Sequence, residues 1–493
     1  MLFRKPRNLL LTIVLFRFLS WLIVRTYFIA DEYWQTFEIA HSLAFNYGYK
    51  TWEWNSTIAI RSYLYPYLIS LIYRFLAFLH LDTASVLVNV ATLFQTFLAI
   101  LGDLAYVKFL QGHNLIFLIL LCRFSCWYTM YSSPRLLINN LEEILFICSL
   151  AAAKSFRSTS SNFAFHLFVS LSFILRPTSA IPFVIIYPYL LYQTSQRLRF
   201  LLQAFLCFVI LNLCNSLLDS YMYGQWTFVP LNFLYINFFH PNSISSHYGI
   251  NNPFWYFTNG LPMIFFYRLP LIFLGAMFNR RLTIVVLFTI FIYTLNSHKE
   301  FRFLTQILPI LFILEAHGID WCLKKFRIRK FPWVLFLSFT IHLLIGIYFS
   351  FADRQGQISV MTYLRTNLPN DNQRSYSVDF LMPCHSTPYH NFIHRTDIQL
   401  NFLTCEPNLN STSSDYLDEA DRFFVAPIAS LRSRLLLTKA SHLVMFDTLY
   451  NQVKDVLEDN QSYYVKDILF NSHIQHTSRH GKSIYILENK LGY

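Results

Sequence analysis

The hydrophobic residues of this chain are gathered into long apolar runs that are separated by short polar loops. A bilayer core of about 30 Å requires about 20 helical residues, so runs of this length predict helices that cross a membrane. We expect the first run to stay as a signal anchor, because it is long enough to span and has no small-residue cleavage site. The twelve candidate runs lie near residues 9–30, 62–79, 84–108, 113–131, 138–153, 161–176, 178–193, 199–219, 261–278, 281–296, 303–319 and 333–351.

Lysine and arginine residues in the short loops predict which helix ends face the cytoplasm. This orientation requires an odd number of crossings between residues 31–61 and Lys154, where four runs occur. The run at 113–131 is interrupted by Cys122 and Arg123, so we expect a broken or re-entrant segment there and about eleven transmembrane helices in all. The predicted cytoplasmic basic residues are Arg4, Lys5, Arg7, Lys154, Arg157, Arg197, Arg199, Arg280, Arg281, Lys324, Lys325, Arg327, Arg329 and Lys330.

The pattern changes in the last third of the chain, where short alternating segments replace the long apolar runs. Alternation of this kind predicts strands, and the stretch Leu449–Glu458 predicts a helix. We therefore divide the chain into an all-α membrane bundle, residues 1–351, with lumenal loops at 31–61 and 219–260, and a small lumenal α/β domain, residues 352–493. The segments that predict strands are SYSVDFLM, HLVMFD, YYVKDILF and KSIYILEN.

Composition and charge agree with a membrane bundle that carries a soluble tail. Hydrophobic residues make up 55% of the chain and charged residues 13%, whereas charged residues are about 25% of an ordinary soluble domain. Of the net charge of +12, residues 1–351 contribute 26 Lys and Arg against 12 Asp and Glu, and residues 352–493 contribute 13 against 15. Basic residues beside apolar runs are typical of cytoplasmic membrane loops, so we predict no nucleic-acid binding.

The tail has two features of a lumenal domain. Cys384 and Cys405 are its only cysteines, and they are able to pair if the compartment is oxidising. Asn410 and Asn460 each begin an Asn-X-Ser/Thr sequon, which indicates N-glycosylation on the same side of the membrane. The other six cysteines lie in or beside apolar runs, where the favoured interpretation is core packing.

The stretch DEYWQTFEIAHSLAFNYGYKTWEWNSTIAIRSYLYPY, residues 31–67, is the most polar part of the region between the first two runs. Read as an α-helix, its first half has one polar stripe beside an apolar flank that contains Trp34 and Phe37. Such a helix is expected to lie along the membrane surface, and an ordinary interfacial loop with aromatic anchors is the alternative. The stripe consists of Asp31, Gln35, Glu38 and Ser42.

A second charged cluster, HKEFR at 298–302, lies between two apolar runs on the same predicted side of the membrane. Ionisable residues at a membrane boundary are unfavourable unless they are paired or bind a charged ligand. Lys299, Arg302 and Arg61 have the charge to bind a lipid phosphate, and arginine is able to do so with two hydrogen bonds. Interfacial snorkelling with a surface pair between Lys299 and Glu300 is the alternative.

Metal and nucleotide sites are disfavoured. His385, His390 and His394 are metal-ligand types, but their spacing fits no compact zinc pattern, so we interpret them as solvated lumenal histidines. Gly481-Lys482-Ser483 imitates the end of a phosphate loop, but His476 stands where that loop requires a glycine. The sequence therefore argues against nucleotide hydrolysis.

The motifs DEYWQTFEIAHSLAFNYGYKTWEW, IRSYLYP and HKEFRFL resemble those of the dolichyl-phosphate-mannose-dependent mannosyltransferases of glycosyltransferase family 22, which share the GT-C fold. Within that family, YGQWTFVPLNFLYINFF at 223–239, the following SSHYG and PFWYF, and FLMPCHSTPYH at 380–390 look most like the branch that adds the third mannose during assembly of glycosylphosphatidylinositol (GPI) anchors. The likeness runs nearly end to end. It implies an endoplasmic reticulum enzyme that transfers mannose from dolichyl phosphate mannose to the second mannose of the GPI precursor in an α1,2 linkage.

An α-linked product formed from a β-linked donor requires inversion, in which one carboxylate deprotonates the acceptor hydroxyl while the phosphate leaves. Asp31 is the predicted base and Glu32 is expected to orient Asp31 or the acceptor, although the order of these two roles stays open. The phosphate contacts that the resemblance implies are Arg61, His298, Lys299 and Arg302. The predicted acceptor-binding or supporting residues are Glu38, His41, Trp52, Glu53 and Glu300.

We expect no cofactor and no metal, because arginine and lysine suffice for a lipid monophosphate and the chain has no D-x-D pair suited to hold an ion. The expected partners are the lipid-linked donor, the GPI glycolipid acceptor and the membrane, and the sequence names no protein partner. The nearest alternatives are the fourth GPI mannosyltransferase and a sibling that acts on the dolichol-linked oligosaccharide. A transporter or scramblase for a lipid-linked sugar is the alternative from another class; it would favour mid-membrane charges and an internal repeat.

Overall fold

The structure, a computed structural model, is mostly helical with one small sheet near the C-terminal end. It describes residues 6–154, 159–239, 249–326, 331–370, 375–408, 416–438, 440–459 and 463–490. The predicted glycosylation sites Asn410 and Asn460 lie outside these residues.

The first part of the chain is built almost entirely from helices, as its apolar runs predict. Short π-helical and 3-10 turns interrupt them at Glu32–Phe37, Trp52–Trp54, Pro177–Ala180, Tyr235–Phe239, Tyr256–Gly260, Phe266–Arg268 and Phe301–Ile307. The α-helices before the tail are Pro6–Ile23, Glu38–Phe45, Leu64–Phe78, Ala84–Leu110, Ile116–Ser125, Trp127–Ser132, Ile138–Lys154, Thr159–Leu175, Phe183–Gln193, Arg197–Tyr223, Val229–Leu234, Leu261–Phe265, Leu269–Ala276, Arg280–Thr294, Leu308–Phe326 and Phe331–Phe351.

Five helical stretches in the described residues are long and apolar enough to cross a membrane, and four apolar helices are shorter. Helix Arg197–Tyr223 shows the pattern clearly, because Leu201, Phe205 and Ile210 are among its many exposed apolar side chains. Such a surface suits lipid rather than water. The protein is therefore membrane-embedded, and the count of eleven crossings stays a prediction. The five stretches are Ala84–Leu110, Arg197–Tyr223, Tyr256–Ala276, Phe301–Phe326 and Trp333–Asn367.

The predicted interruption of the run at 113–131 is confirmed, but the break comes at Cys126, where the backbone is extended between helices Ile116–Ser125 and Trp127–Ser132. Arg123 stays inside the first of these helices because its charge is balanced. Its guanidinium bonds Asp103 at 2.8 Å and Glu143 at 2.5 Å. Buried charges persist in an apolar core only when they are paired in this way.

Two glycines allow helices Leu269–Ala276 and Leu308–Phe326 to pack backbone against backbone. A Cβ atom at Gly275 would lie 1.7 Å from the carbonyl oxygen of Leu314, and one at Gly318 would lie 1.9 Å from that of Leu271. Only glycine permits such an approach, which is a common way of joining helices in membranes. The bundle core is thus close-packed at this pair.

By its internal contacts the chain forms two compact units that alternate along the sequence. The predicted division at residue 351 assigned the tail to a unit of its own, whereas the structure groups the tail with two segments from the first hundred residues. The reason is a set of contacts that residues 34–41 make with residues 385–402, described below. The first unit contains residues 1–22, 53–65 and 92–347, and the second contains 23–52, 66–91 and 348–493.

The tail contains a five-stranded mixed sheet in the order β2-β1-β3-β5-β4. β1 is parallel to β2 and β3, whereas β5 is antiparallel to β3 and β4. The four predicted strands are confirmed, and β2 is an additional one. The strands are β1 Tyr376–Leu381, β2 Ile398–Phe402, β3 His442–Phe446, β4 Tyr463–Phe470 and β5 Ser483–Asn489, and the tail helices are Gly356–Asn367, His390–Ile393, Glu419–Val425, Pro427–Thr438 and Asp447–Asp459.

The central strand of this sheet is fully buried, as expected for a strand with both faces covered. Helix Asp447–Asp459 packs Leu449 and Val453 into the same core as Leu443 and Leu487. The predicted helix at 449–458 is therefore confirmed. The sheet and its helices position the segment between β1 and β2, which carries the site residues described next.

Candidate active site

Asp31 and Glu32 lie at the start of a π-helical turn, Glu32–Phe37, which continues directly into helix Glu38–Phe45. Asp31 occupies the N-cap position, but its carboxylate makes no capping hydrogen bond. A π-helical turn is wider than an α-helical turn and occurs frequently at functional sites. It also shifts the side chains out of the α-helical register on which the predicted polar stripe depends.

The predicted amphipathic surface helix is wrong. Every residue from Glu32 to His41 is buried, including Gln35 and Glu38 of the expected polar stripe. The physical reason is that the segment between β1 and β2 packs against this stretch. The indole ring of Trp34 lies 4.3 Å from the ring of His385, 4.8 Å from Tyr389 and 4.9 Å from Phe402, measured between centroids.

Covalent and hydrogen bonds fix the segment that covers Trp34. The Trp34 Nε1–H donates to the carbonyl oxygen of Thr387 at 2.9 Å. Cys384 and Cys405, the predicted pair, form a disulfide with their Cα atoms 5.8 Å apart. His385 lies beside both sulfurs, but neither cysteine has a thiolate to offer a metal because both sulfurs are in the disulfide.

Glu38 links the first loop to the same segment through a buried carboxylate. Its Oε1 accepts a hydrogen bond from the backbone N–H of Tyr49 at 3.0 Å, and its Oε2 accepts one from Asn391 at 3.1 Å. Burial raises the pKa of Glu38 to about 7, although the backbone hydrogen bonds oppose this shift. Gly48 has φ +142° and approaches so closely that a Cβ there would lie 3.0 Å from Oε1. Glu38 therefore supports the loop that carries Asp31.

His41 belongs to a pair of neutral imidazoles. Its Nδ1 lies 3.2 Å from the carbonyl oxygen of Tyr47, and its Nε2 lies 2.9 Å from Nδ1 of His394. A neutral imidazole has one N–H, so His41 donates to Tyr47 and accepts from His394. Burial, followed by the charge of His394, lowers the pKa of His41 to about 3.

The interpretation of the tail histidines as solvated is wrong. His385 packs on Trp34, His390 packs on the ring of Tyr389 at 4.7 Å, and His394 contacts His41. Burial lowers the pKa of His385 to about 4, against the charge of Asp31, and lowers the pKa of His390 to about 4. The charge of Asp31 therefore acts on the ring of His385.

These shifts predict that the protein becomes less stable as the pH falls from 6.5 to 4.5. An imidazole with a lowered folded pKa contributes stability that is present above pH 6.5 and is lost below it, and His41, His385 and His390 all have this sign. Glu38 has the opposite sign, since its raised pKa contributes stability that is lost as the pH rises to about 7. Each group changes the free energy of unfolding by about 1.4 kcal/mol per pH unit, so three outweigh one.

The measurement is the melting temperature of the purified protein in detergent across this pH range. We expect a lower melting temperature at pH 4.5 than at pH 6.5, with a smaller difference in His385→Gln. A melting temperature that rises on acidification would show that these histidines are not buried as neutral rings.

The other predicted site residues lie in the bundle unit, except for Trp52, which is the last residue of its segment in the tail unit. Trp52 and Glu53 are buried at the short turn Trp52–Trp54. Glu53 Oε1 accepts hydrogen bonds from Arg61 Nη2 at 2.6 Å and Nε at 3.1 Å. Arg61 is thereby held beside a carboxylate.

The HKE cluster is centred on Glu300. Arg302 donates to its two oxygens from Nε at 2.6 Å and Nη2 at 2.7 Å, and His298 Nε2 lies 2.9 Å from Oε1. Burial alone would raise the pKa of Glu300, but the charge of Arg302 and these hydrogen bonds hold it below its usual range. This two-point contact presents Arg302 in a fixed orientation.

Lys299 is predicted to contact phosphate, but its ammonium group bonds backbone carbonyls of the protein. The residue is buried, and its Nζ donates to the carbonyl oxygens of Asn296 at 2.7 Å, Asn251 at 3.2 Å and Ser297 at 3.4 Å. An ammonium group has three N–H donors, and three carbonyls account for them. This arrangement favours a role for Lys299 in holding the loop around residue 251 rather than in binding phosphate.

Sequence reasoning missed a polar group in the helix Ile138–Lys154. Glu142 is 3% exposed, accepts a hydrogen bond from Asn139 at 2.9 Å, and lies 3.6 Å from Arg176. The signal was available, because NNLEE stands in a run counted as a membrane crossing, where carboxylates usually have a function. The apolar residues of the run, taken alone, do not indicate it.

The site residues thus fall into two groups, one in each compact unit. The tail unit contains Asp31, Glu32, Glu38, His41 and Trp52, and the bundle unit contains Glu53, Arg61, His298, Lys299, Glu300 and Arg302. Each group combines buried carboxylates with aromatic or cationic partners, which is the chemistry required for acid–base work and anion binding.

Comparison with known proteins identifies the family. The sequence profile of the Alg9-like mannosyltransferase family matches residues 8–394. A GPI alpha-1,2-mannosyltransferase 3 from Bos taurus is 34% identical over 98% of this chain and 89% of the relative, and a GPI mannosyltransferase 3 from Yarrowia lipolytica is 32% identical over 94% of each. Among solved structures, ArnT from Cupriavidus metallidurans bound to undecaprenyl phosphate shares the fold, with a TM-score of 0.62 over 98% of both chains at 11% identity. The chain belongs to the Alg9-like mannosyltransferase family and is a membrane-embedded glycosyltransferase of the GT-C fold.

Proposed function

We propose that this enzyme adds an α1,2-linked mannose to the second mannose of the GPI-anchor precursor, with dolichyl phosphate mannose as the donor. The observation that carries the proposal is the nearly full-length similarity to relatives named GPI alpha-1,2-mannosyltransferase 3, from Bos taurus to Danio rerio, at 33–34% identity. The motif FLMPCHSTPYH, which resembles the same branch, forms the segment that packs on Trp34.

The proposed reaction is a single displacement. The acceptor hydroxyl oxygen attacks C1 of the mannose, the bond between C1 and the phosphate oxygen breaks, and the hydroxyl proton passes to the carboxylate of Asp31. Dolichyl phosphate leaves with one additional negative charge. Arg302, held by Glu300, and Arg61, held by Glu53, supply positive charge for that phosphate. Glu32 orients Asp31 or the acceptor.

Complementation of defective cells tests the acceptor assignment. Cells that lack the third GPI mannosyltransferase accumulate a precursor with two mannoses, and we expect expression of this chain to restore a precursor with three. Cells that lack the fourth GPI mannosyltransferase, or a mannosyltransferase of the dolichol-linked oligosaccharide, serve as controls and should not be rescued. Rescue of a control line in place of the first would assign the enzyme to a sibling reaction.

We also propose that the tail and Asp31 face the lumen of the endoplasmic reticulum. The disulfide between Cys384 and Cys405 supports this placement, because disulfides form in oxidising compartments. In sealed microsomes the tail is expected to resist added protease and to become sensitive when detergent opens the vesicles. Cleavage of the tail in intact vesicles would contradict the proposed orientation.

A further inference from the structure

The polar group missed by the sequence, Glu142 with Arg176 and Asn139, has hydrogen-bonding capacity that the protein does not use. One carboxylate oxygen of Glu142, Oε2, receives Asn139 and lies beside Arg176. Within the described residues, the other oxygen, Oε1, is buried and makes no hydrogen bond. The same holds for Nε of Arg176 and for the hydroxyl of Tyr256, which lies within electrostatic range of Arg176. Buried polar groups are rarely left in this state.

The arginine of another buried ion pair in the same bundle, Arg268 with Glu315, shows the contrast, although Oε2 of Glu315 also makes no hydrogen bond within the described residues. Arg268 bonds Glu315 through Nε at 2.5 Å, Ser125 through Nη1 at 3.3 Å and the carbonyl oxygen of Cys122 through Nη2 at 3.1 Å. All three of its nitrogens are therefore satisfied by the protein. The Arg176 guanidinium has no hydrogen-bond acceptor at Nε among the described residues. A purely structural role therefore explains its pair with Glu142 poorly.

The Glu142 group adjoins the HKEFRF motif through one aromatic ring. The guanidinium carbon of Arg176 lies 4.4 Å from the centroid of Phe303, and that of Arg302 lies 5.5 Å from the same centroid. Arg302 is the residue to which the proposed function assigns the donor phosphate. Both guanidinium groups thus lie against Phe303, so a ligand held by Arg302 lies near Arg176.

We propose that Glu142 and Arg176 bind hydroxyl groups of a mannose residue. A hydroxyl is able to donate to Oε1 of Glu142 and to accept from Nε of Arg176 at the same time. A phosphate is disfavoured here, because the carboxylate of Glu142 would repel it. The site thus places an acceptor, Oε1 of Glu142, and a donor, Nε of Arg176, in one group, and vicinal hydroxyls of a hexose require both. The inference rests on the proposed function for the identity of the sugar and for the donor phosphate at Arg302.

The test measures binding, so that its result does not depend on turnover. Equilibrium binding of radiolabelled dolichyl phosphate mannose, and separately of a mannose-containing GPI acceptor analogue, is compared between the parent protein and the variants Glu142→Gln and Arg176→Gln. We expect the dissociation constant of one of the two ligands to rise by about 10- to 100-fold, since each variant removes a hydrogen bond that involves a charged group. The ligand affected identifies whether the donor or the acceptor supplies the mannose.

Deoxymannose analogues of that ligand give a second readout that a structural role would not move. If Glu142 accepts a hydrogen bond from one hydroxyl, removing that hydroxyl should weaken binding to the parent as much as Glu142→Gln does, with no further loss when both changes are combined. Glu315→Gln is the matched control, because it alters a carboxylate that is also buried and arginine-paired. The control should lower the melting temperature and leave both dissociation constants unchanged.

The inference is overturned if Glu142→Gln and Arg176→Gln behave like the control and change only the melting temperature. It is also overturned if every deoxy analogue is additive with Glu142→Gln. A parent that binds both ligands but transfers no mannose would contradict the proposed function alone, and the binding comparison would still decide the role of Glu142.

Discussion

Replacing Asp31 by asparagine is expected to reduce mannose transfer by about 10²–10⁴-fold, the usual contribution of a general base. Asparagine keeps the size and hydrogen-bonding capacity of the side chain but removes the basic oxygen. Asparagine also caps a helix nearly as well as aspartate, so the variant separates proton acceptance from capping. The measurement is the initial rate of mannose transfer by detergent-purified Asp31→Asn beside its melting temperature, which should match that of the parent.

Glu32→Gln is the companion variant, because the two carboxylates are neighbours in the same π-helical turn. An inactive Asp31→Asn protein with a merely impaired Glu32→Gln protein supports Asp31 as the base. The reverse pattern assigns the base to Glu32. Substantial activity in both variants would falsify carboxylate base catalysis in this loop.

The second large effect is expected at Arg302. Arg302→Gln should raise the KM for dolichyl phosphate mannose, since a charge-assisted hydrogen bond is worth about 1.5–3 kcal/mol, or roughly 10- to 100-fold. Arg302→Lys keeps the charge but loses the two-point contact with Glu300, so it should recover only part of the affinity. The KM for the acceptor should change little in either variant.

Lys299→Met is the matched control for Arg302, because its ammonium bonds three backbone carbonyls. We expect it to lower the melting temperature and to leave the KM for the donor nearly unchanged. If Lys299→Met raised the donor KM as much as Arg302→Gln, Lys299 would be a phosphate contact after all. If neither variant altered the donor KM, the cluster would be an interfacial ion pair without a role in donor binding.

Local patterns predicted the secondary structure well. The alternating segments gave four of the five strands, and the fifth, β2, also alternates apolar Ile398, Leu400 and Phe402 with polar residues. The break in the run at 113–131 was visible because Arg123 interrupts it, but its position depends on ion pairs with Asp103 and Glu143 that no local pattern contains. Local signals therefore predict which elements exist better than where they end.

The arrangement of the site depended on contacts between distant parts of the sequence. The expected polar stripe of residues 31–42 is buried because Glu38 bonds Asn391 and Trp34 bonds Thr387, each 353 residues away. A prediction from periodicity assumes that solvent or lipid covers the polar face of a helix. It therefore cannot predict that a distant segment of the chain packs on that face. The tail histidines were misread for the same reason, since their partners come from the first loop.

The pairing of Glu142 with Arg176 shows a different limit. Both residues are evident in the sequence, but they lie in separate helical segments, and the sequence does not specify how these segments pack. A carboxylate in a membrane helix indicates a function and leaves its partner unnamed. Only the structure shows that its partner Arg176 lies against Phe303 of the HKEFRF motif.

The most direct test of the central claim is a transfer assay with purified protein, radiolabelled dolichyl phosphate mannose and a synthetic GPI acceptor that ends in the second mannose. The account predicts that label is transferred to this acceptor and is released by a mannosidase specific for α1,2 linkages. It also predicts no transfer to an acceptor that already carries the third mannose. Labelling of that longer acceptor alone, a product resistant to the mannosidase, or no transfer to either acceptor would contradict the account.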